Sequence, residues 1–283
     1  MVKAVTLLPR SLALLTLTLL LGSTGCVGAS LAEKRDSFRP YEGAVVGKSS
    51  LRAFVRARTY TLLRGVRLRF ERKGGETVME LISASPKQAG FGTAAAITSD
   101  GYFLTAAHNL RGELFHLVAL GESGLRIGRA RVVWRGSPGD PRADFALLHV
   151  AGAAGRAFAW AERGAVERGT ELVAAGTARP LEPLSFAGGE ALGAISTPRG
   201  SPPASLVLHG VPVRRGDSGG PLVTREGRLV ALNVIYAPLT GRHVSVRPDP
   251  DWVARLIALD RRQRRLRAPA IRVARPGWET SRQ

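Results

Sequence analysis

The sequence predicts an all-β protein: two antiparallel β-barrels with a site in the cleft between them, plus a C-terminal helix. Three observations carry this. Short apolar or alternating runs recur at close spacing through most of the chain, separated by turn residues, a texture that fits closed antiparallel sheets. The residues with chemistry, His108, Asp144 and Ser218, lie far apart beside such runs, and two barrels with a site at their junction would let His108 and Asp144 come from the first and Ser218 from the second. Asp249-Pro250-Asp251-Trp252 carries helix-start signals, an Asp cap and Pro in the first turn, and the stripe Trp252, Val253, Leu256 and Ile257 follows.

A chain of 283 residues has room for one large or two small cores. Its 45% hydrophobic content fits a globular protein. The net charge of +19 favours anionic surfaces such as lipid head groups, cell-wall polymers, nucleic acid or acidic proteins, although an arginine-rich proteome alone produces a basic surface. No zinc-finger spacing, recognition-helix pattern or aromatic–basic interleaving supports specific nucleic-acid readout.

Residues 1–25 read as a signal peptide. Lys3 and Arg10 form a positive start, and Ser11 to Leu21 is an apolar run too short to span a bilayer. Small residues lead to Cys26, the single cysteine, so no intrachain disulfide can form. A lone cysteine at this place resembles a bacterial lipoprotein signal, whose cysteine is lipidated and becomes the mature N-terminus. Ser23 departs from that pattern, which usually has leucine, and ordinary secretion with a free thiol is the alternative. Residues 26–60 read as a tether and N-terminal segment, its first part small and polar.

Leu51, Phe54 and Val55 have helical spacing, and Val66 to Phe70 alternates like a half-buried strand. Lys73-Gly74-Gly75-Glu76 is a turn signal before an extended Thr77–Ile82. A first barrel is expected over about 61–155. Its strands begin at Phe91-Gly92-Thr93, turn at Ser99-Asp100-Gly101 and return through Tyr102 to Ala106, placing His108 just past a strand end. Leu114–Leu120 and Ile127–Trp134 read as further strands. A loop over 135–142 leads to Asp144 and the apolar run Phe145-Ala146-Leu147-Leu148. Residues 151–169 link the halves.

The second barrel is expected over about 165–248, with runs at 171–175, 184–186, 191–195 and 205–208. A hairpin of 222–224 and 229–236 turns at Glu226-Gly227. The helix covers about 250–266 and a basic tail 267–283. Its arginines have two readings: an electrostatic arm for anionic lipid, or cations favoured at a helix C-terminus and in a solvated tail.

The chemical signal lies in Arg215-Gly216-Asp217-Ser218-Gly219-Gly220-Pro221. Glycines on either side of a serine allow a sharp turn and close approach of another backbone. The amides of Gly216 and Ser218 can then converge beside the hydroxyl, as a backbone oxyanion hole requires. A serine hydroxyl is a weak nucleophile alone and needs a base and an orienting group. His108 and Asp144 are candidates for those roles, with Asp140 a competing acid in mid-loop. A buried Asp144 needs a partner, and the His108 imidazole would supply one.

His, Asp and Ser in this order, in the motifs Thr105-Ala106-Ala107-His108, Asp144-Phe145-Ala146-Leu147-Leu148 and GDSGGP, resemble the trypsin-like, chymotrypsin-fold serine peptidases. The absence of cysteines in the barrels looks most like bacterial HtrA-type and glutamyl-endopeptidase-type members. The resemblance covers about residues 62–259. It implies an exported serine endopeptidase of the cell envelope acting on polypeptides, with His108, Asp144 and Ser218 catalytic, Gly216 and Ser218 the oxyanion hole, and no metal or cofactor. It also implies that Val234, Ile235 and Tyr236 bind substrate as an added strand and line the specificity pocket. The pocket floor then falls near Pro212, so no acid awaits a Lys or Arg, and a small or medium apolar side chain is expected before the cut. No Ile-Val-Gly-Gly-like start exists for Asp217 to pair with, so no zymogen cut is expected. With about 65 residues after Ser218, no PDZ domain is expected. The alternative is a catalytically silent peptide-binding or scaffold protein on the same fold. The complete set of His, Asp, Ser and glycines argues against it.

Overall fold

The computed structural model describes residues 14–17, 45–46, 49–73, 76–83, 89–121, 124–153, 155–162, 164–177, 179, 182–195, 202–235 and 242–267. Cys26, Tyr236 and the basic tail beyond Arg267 lie outside the described residues, as does the leader except for one short strand.

That strand, β1 (Leu14–Leu17), pairs with β6 (Glu76–Ser83), which forms a hairpin with β5 (Val66–Lys73). This three-stranded sheet shares no strand pairing with the barrels among the described residues. Two short strands, β2 (Val45–Val46) and β3 (Ser49–Ser50), precede helix α1 (Leu51–Arg56). Ser50 caps α1 by accepting the Ala53 amide, and Leu51 and Val55 turn inward.

The first barrel closes six antiparallel strands: β4 (Thr59–Arg64), β7 (Gly90–Ala96), β8 (Tyr102–Thr105), β9 (Phe115–Gly121), β10 (Gly124–Arg135) and β11 (Ala146–Val150). The second closes β12 (Glu171–Gly176), β13 (Ser185–Ile195), β14 (Ala204–His209), β15 (Pro221–Thr224), β16 (Leu229–Ile235) and β17 (His243–Pro248). The runs at 184–186 and 191–195 belong to a single strand. Gly188 and Gly189 do not break it, because both pair in register with β12. The irregularity is a register shift against β14 between Ala191 and Gly193.

Several strands look apolar without alternation because both of their faces are buried. In β11, Ala146, Leu148 and Val150 fill the first barrel with Phe103 and Leu117, while Leu147 faces outward. In β12, Leu172 and Ala174 fill the second barrel, while Val173 and Ala175 face outward. The outward set forms a third core between the barrels with Tyr102, Leu104, Phe145, Val223 and Leu232. Side chains alternate at period two, so a strand shared by two cores must be apolar throughout.

Helix α2 (Pro250–Arg267) leaves the second barrel and braces the first. Asp249 caps it by accepting the Trp252 amide at 2.9 Å. Trp252 packs edge-on against Trp134, with centroids 4.8 Å apart, and against Phe145 beside Asp144. Val253 and Ile257 enter the shared core. Buried Asp260 accepts from Tyr102, Arg131 and Arg264. Arg261 holds Asp100 in the first barrel.

Candidate active site

His108 sits in a single 3₁₀ turn, Ala107–Asn109, where β8 ends. The turn is held from behind by Arg64, whose guanidinium donates to the carbonyls of His108 and Asn109. Asp144 precedes β11 and is buried. Because β11 pairs with β8, with Ala146 opposite Thr105, the two strand ends lie side by side. The Asp144 Oδ2 lies 2.6 Å from His108 Nδ1, and its Oδ1 accepts the His108 amide at 2.8 Å. A carboxylate acceptor places the proton on Nδ1 and leaves the lone pair on Nε2. Asp140, the competing acid, is exposed and accepts the Arg142 amide within its own loop.

Ser218 lies in the turn before β15 and is half-buried, as is His108. Its carbonyl is tied to the first barrel, accepting from the Thr93 amide at 2.9 Å and from Asn109 Nδ2 at 2.7 Å. Asn109 is the neighbour of His108, so one residue couples the His108 turn to the serine turn. The Gly216 carbonyl accepts from Thr93 Oγ1 at 2.8 Å. Thr93 Oγ1 also accepts the Thr177 amide, and Thr105 donates to the Thr93 carbonyl. These buried threonines and Asn109 form a polar seam between the barrels, with both amide protons of Asn109 spent on Thr105 and Ser218.

With the Gly216 and Ser218 carbonyls held inward, their amides take no acceptor among the described residues. The amides of Asp217, Gly219 and Gly220 are all spent, on Arg214, Asn233 and Asp217 carbonyls. Gly216 has φ +100° and Gly219 φ +82°, conformations that favour glycine. Two unspent amides flanking a serine are what a developing oxyanion needs.

Asp217 is buried and has no cation within salt-bridge reach among the described residues. Its Oδ2 accepts the Arg214 amide at 2.8 Å and its Oδ1 the Ser185 hydroxyl at 3.3 Å. Burial outweighs these bonds and pushes its carboxyl up to about 6. Protonation is thus favoured in the folded chain. The associated stability is present below the ordinary value of 3.8 and is lost as pH rises towards 6. The loss is of order 3 kcal/mol, from about 1.4 kcal/mol per unit. Asp217→Asn should therefore be the more stable protein at pH 8 and equal to the parent at pH 4, read by urea unfolding. An equal gain at both pH values would reject this account.

Val234 is buried in the core between the barrels and Ile235 ends β16, paired with Val244. Pro212 is half-buried in the segment leading to the serine turn. Sequence reasoning missed Thr93, Thr105, Asn109 and Thr177. A threonine in an apolar strand has no signature of its own, and the single available hint was an amide directly after His108. It also missed Asn233, whose backbone pairs with Gly219 and Gly220 and whose Oδ1 accepts from Ser245. Ser245 meets His209, which burial drives down to about 4, so the cluster behind the serine turn stays uncharged at neutral pH.

Residues 92–232 match the model of the trypsin-like peptidase domain. No curated protein matches the sequence. Among solved structures, the fold is similar to the HtrA-type protease AlgW with a tripeptide, at TM-score 0.51 and 18% identity over 78% of this chain and 64% of that one. It is similar to the Rv3671c protease from M. tuberculosis in its active form, at TM-score 0.54 and 20% identity over 74% and 82%. It is also similar to the serine endoprotease from Yersinia pestis, at TM-score 0.51 and 17% identity over 77% and 68%. At these identities the likeness is one of fold, and the chain spans less than two thirds of the AlgW chain.

Proposed function

We propose, from the premise that residues 92–232 of this chain form a trypsin-like peptidase domain, that it is an extracytoplasmic serine endopeptidase. The observation that supports this most is the 2.6 Å contact of His108 Nδ1 with Asp144, on a turn whose next residue, Asn109, grips the Ser218 carbonyl. Ser218 Oγ attacks the scissile carbonyl carbon while His108 Nε2 takes the hydroxyl proton. The carbonyl oxygen becomes an oxyanion held by the Gly216 and Ser218 amides. Collapse expels the amine, which leaves with the proton from His108, and Ser218 is acylated. Water then repeats the steps with the same base and frees the acid. Asp144 keeps Nδ1 protonated and steadies the imidazolium that forms twice per cycle.

The substrate class is polypeptide. The AlgW structure contains a tripeptide, and a half-buried Ser218 on a turn where the two barrels meet suits an extended chain here as well. With no acid at Pro212, a small or medium apolar side chain before the cut fits best. The leader and Cys26 direct the enzyme to the cell envelope, and lipidation of Cys26 anchors it there.

The test is labelling by a serine-directed fluorophosphonate in cells producing the native chain or Ser218→Ala. One labelled band is expected, absent from Ser218→Ala and held in the membrane fraction after a high-salt wash. Labelling of both proteins, or of neither, rejects the catalytic reading. A labelled band in the soluble fraction rejects the anchor alone.

A further inference from the structure

We infer that the outward face of helix α2 is a docking surface for an anionic lipid bilayer, a role separate from catalysis and independent of it. The inner face of α2 is used up: Val253 and Ile257 are in the core, and Asp260 and Arg264 bond Tyr102 and one another. Opposite to it lie Arg255, Leu259, Arg262 and Leu266. Steps of four, three and four residues place them within about 60° of arc. Leu259 is 57% exposed and Leu266 78%, and no other large hydrophobic among the described residues is exposed.

The charges flanking these leucines are available. Arg261 is held by Asp100, and Arg264 by Asp260 and Tyr102. Arg255, Arg262 and Arg265 have no acidic partner among the described residues. The single acid on the outward face is Asp251, in the first turn of the helix. Two exposed leucines among unpaired guanidiniums fit a partner that is apolar below and negative above. A second copy of this face would set arginine against arginine, whereas a bilayer satisfies both features. The leucines enter the boundary of the acyl chains and the arginines meet phosphate oxygens. Among the described residues no helix is long and apolar enough to cross a membrane, so α2 would lie along the surface. The net charge of +19 acts in the same direction.

The experiment needs a local readout, because a leader or lipid would also hold the chain on vesicles. An environment-sensitive nitrobenzoxadiazole dye is attached to Ala258→Cys in the full chain carrying Cys26→Ser, with Glu167→Cys as the control site. Both positions are exposed. With vesicles of phosphatidylcholine containing about one third phosphatidylglycerol, the dye at 258 should brighten and shift to the blue. Phosphatidylcholine alone should leave it unchanged. Replacing Arg255, Arg262 and Arg265 together by Gln should raise the lipid concentration required about a hundredfold. Leu259→Gln with Leu266→Gln should abolish the blue shift. No change at 258 with the mixed vesicles overturns the proposal, as does an equal change at 167. The same response to lipid-free acidic polypeptide or duplex DNA also overturns it, in favour of an acidic macromolecule.

Discussion

In Asp144→Asn, kcat for peptide hydrolysis should fall about ten-thousandfold with little change in KM. The geometry gives the reason. Asp144 Oδ1 is committed to the His108 amide, so an asparagine must keep its oxygen there. Its NH2 then occupies the place of Oδ2, 2.6 Å from Nδ1 in the parent. An amide donor facing Nδ1 forces the ring proton onto Nε2, the atom that must accept the Ser218 proton. The fold should survive, because the side-chain volume and the Oδ1 bond are both kept. Steady-state kinetics check the mechanism, since kcat and kcat/KM should fall together. A loss under tenfold would mean that another group orients the base.

The second large effect is on stability. Gly219→Ala should cost more than about 4 kcal/mol, a magnitude reserved for overpacking combined with backbone strain. A Cβ at 219 would fall 2.2 Å from the Thr93 carbonyl oxygen and 2.7 Å from the Ala106 amide, and neither backbone can retreat without breaking the seam. Its φ of +82° adds strain of its own. Gly164 is the control, with φ +89° and nothing within 4 Å of a built Cβ. Gly164→Ala should cost only about 1–2 kcal/mol. Equal shifts of the urea midpoint in the two variants would show that the conformation alone, and not the contact with the first barrel, makes Gly219 necessary.

Much of this was legible from residue types because the chemistry is concentrated in short motifs. His108 stands at a strand end, Asp144 opens an apolar run, and Ser218 sits among glycines. Each signal is local; the pairing of β8 with β11 brings His108 and Asp144 together, and Asn109 ties the Ser218 carbonyl to the same end of the first barrel. Less was legible where a residue's role depends on a distant partner. Thr93 looks like any strand threonine until Gly216 and Ser218 are folded against it. The stripe of Trp252, Val253 and Ile257 signalled a packed helix. The resemblance implies that this helix packs on the second barrel, whereas Trp252 meets Trp134 and Phe145 of the first, a contact that depends on how the two halves meet. With no new N-terminus to pair with, Asp217 needs a cation or hydrogen-bond donors; it has a backbone amide and a hydroxyl, two donors that a sequence does not advertise.

The threonine and asparagine seam has an evolutionary consequence. The Ser218 turn is shaped partly by residues that its own barrel does not contain. Thr93 and Asn109 belong to one half, and the turn they mould belongs to the other. The halves are therefore not interchangeable parts. A graft of one half onto a relative's other half would inherit a serine turn with the wrong mould behind it, unless both sides of the joint travelled together.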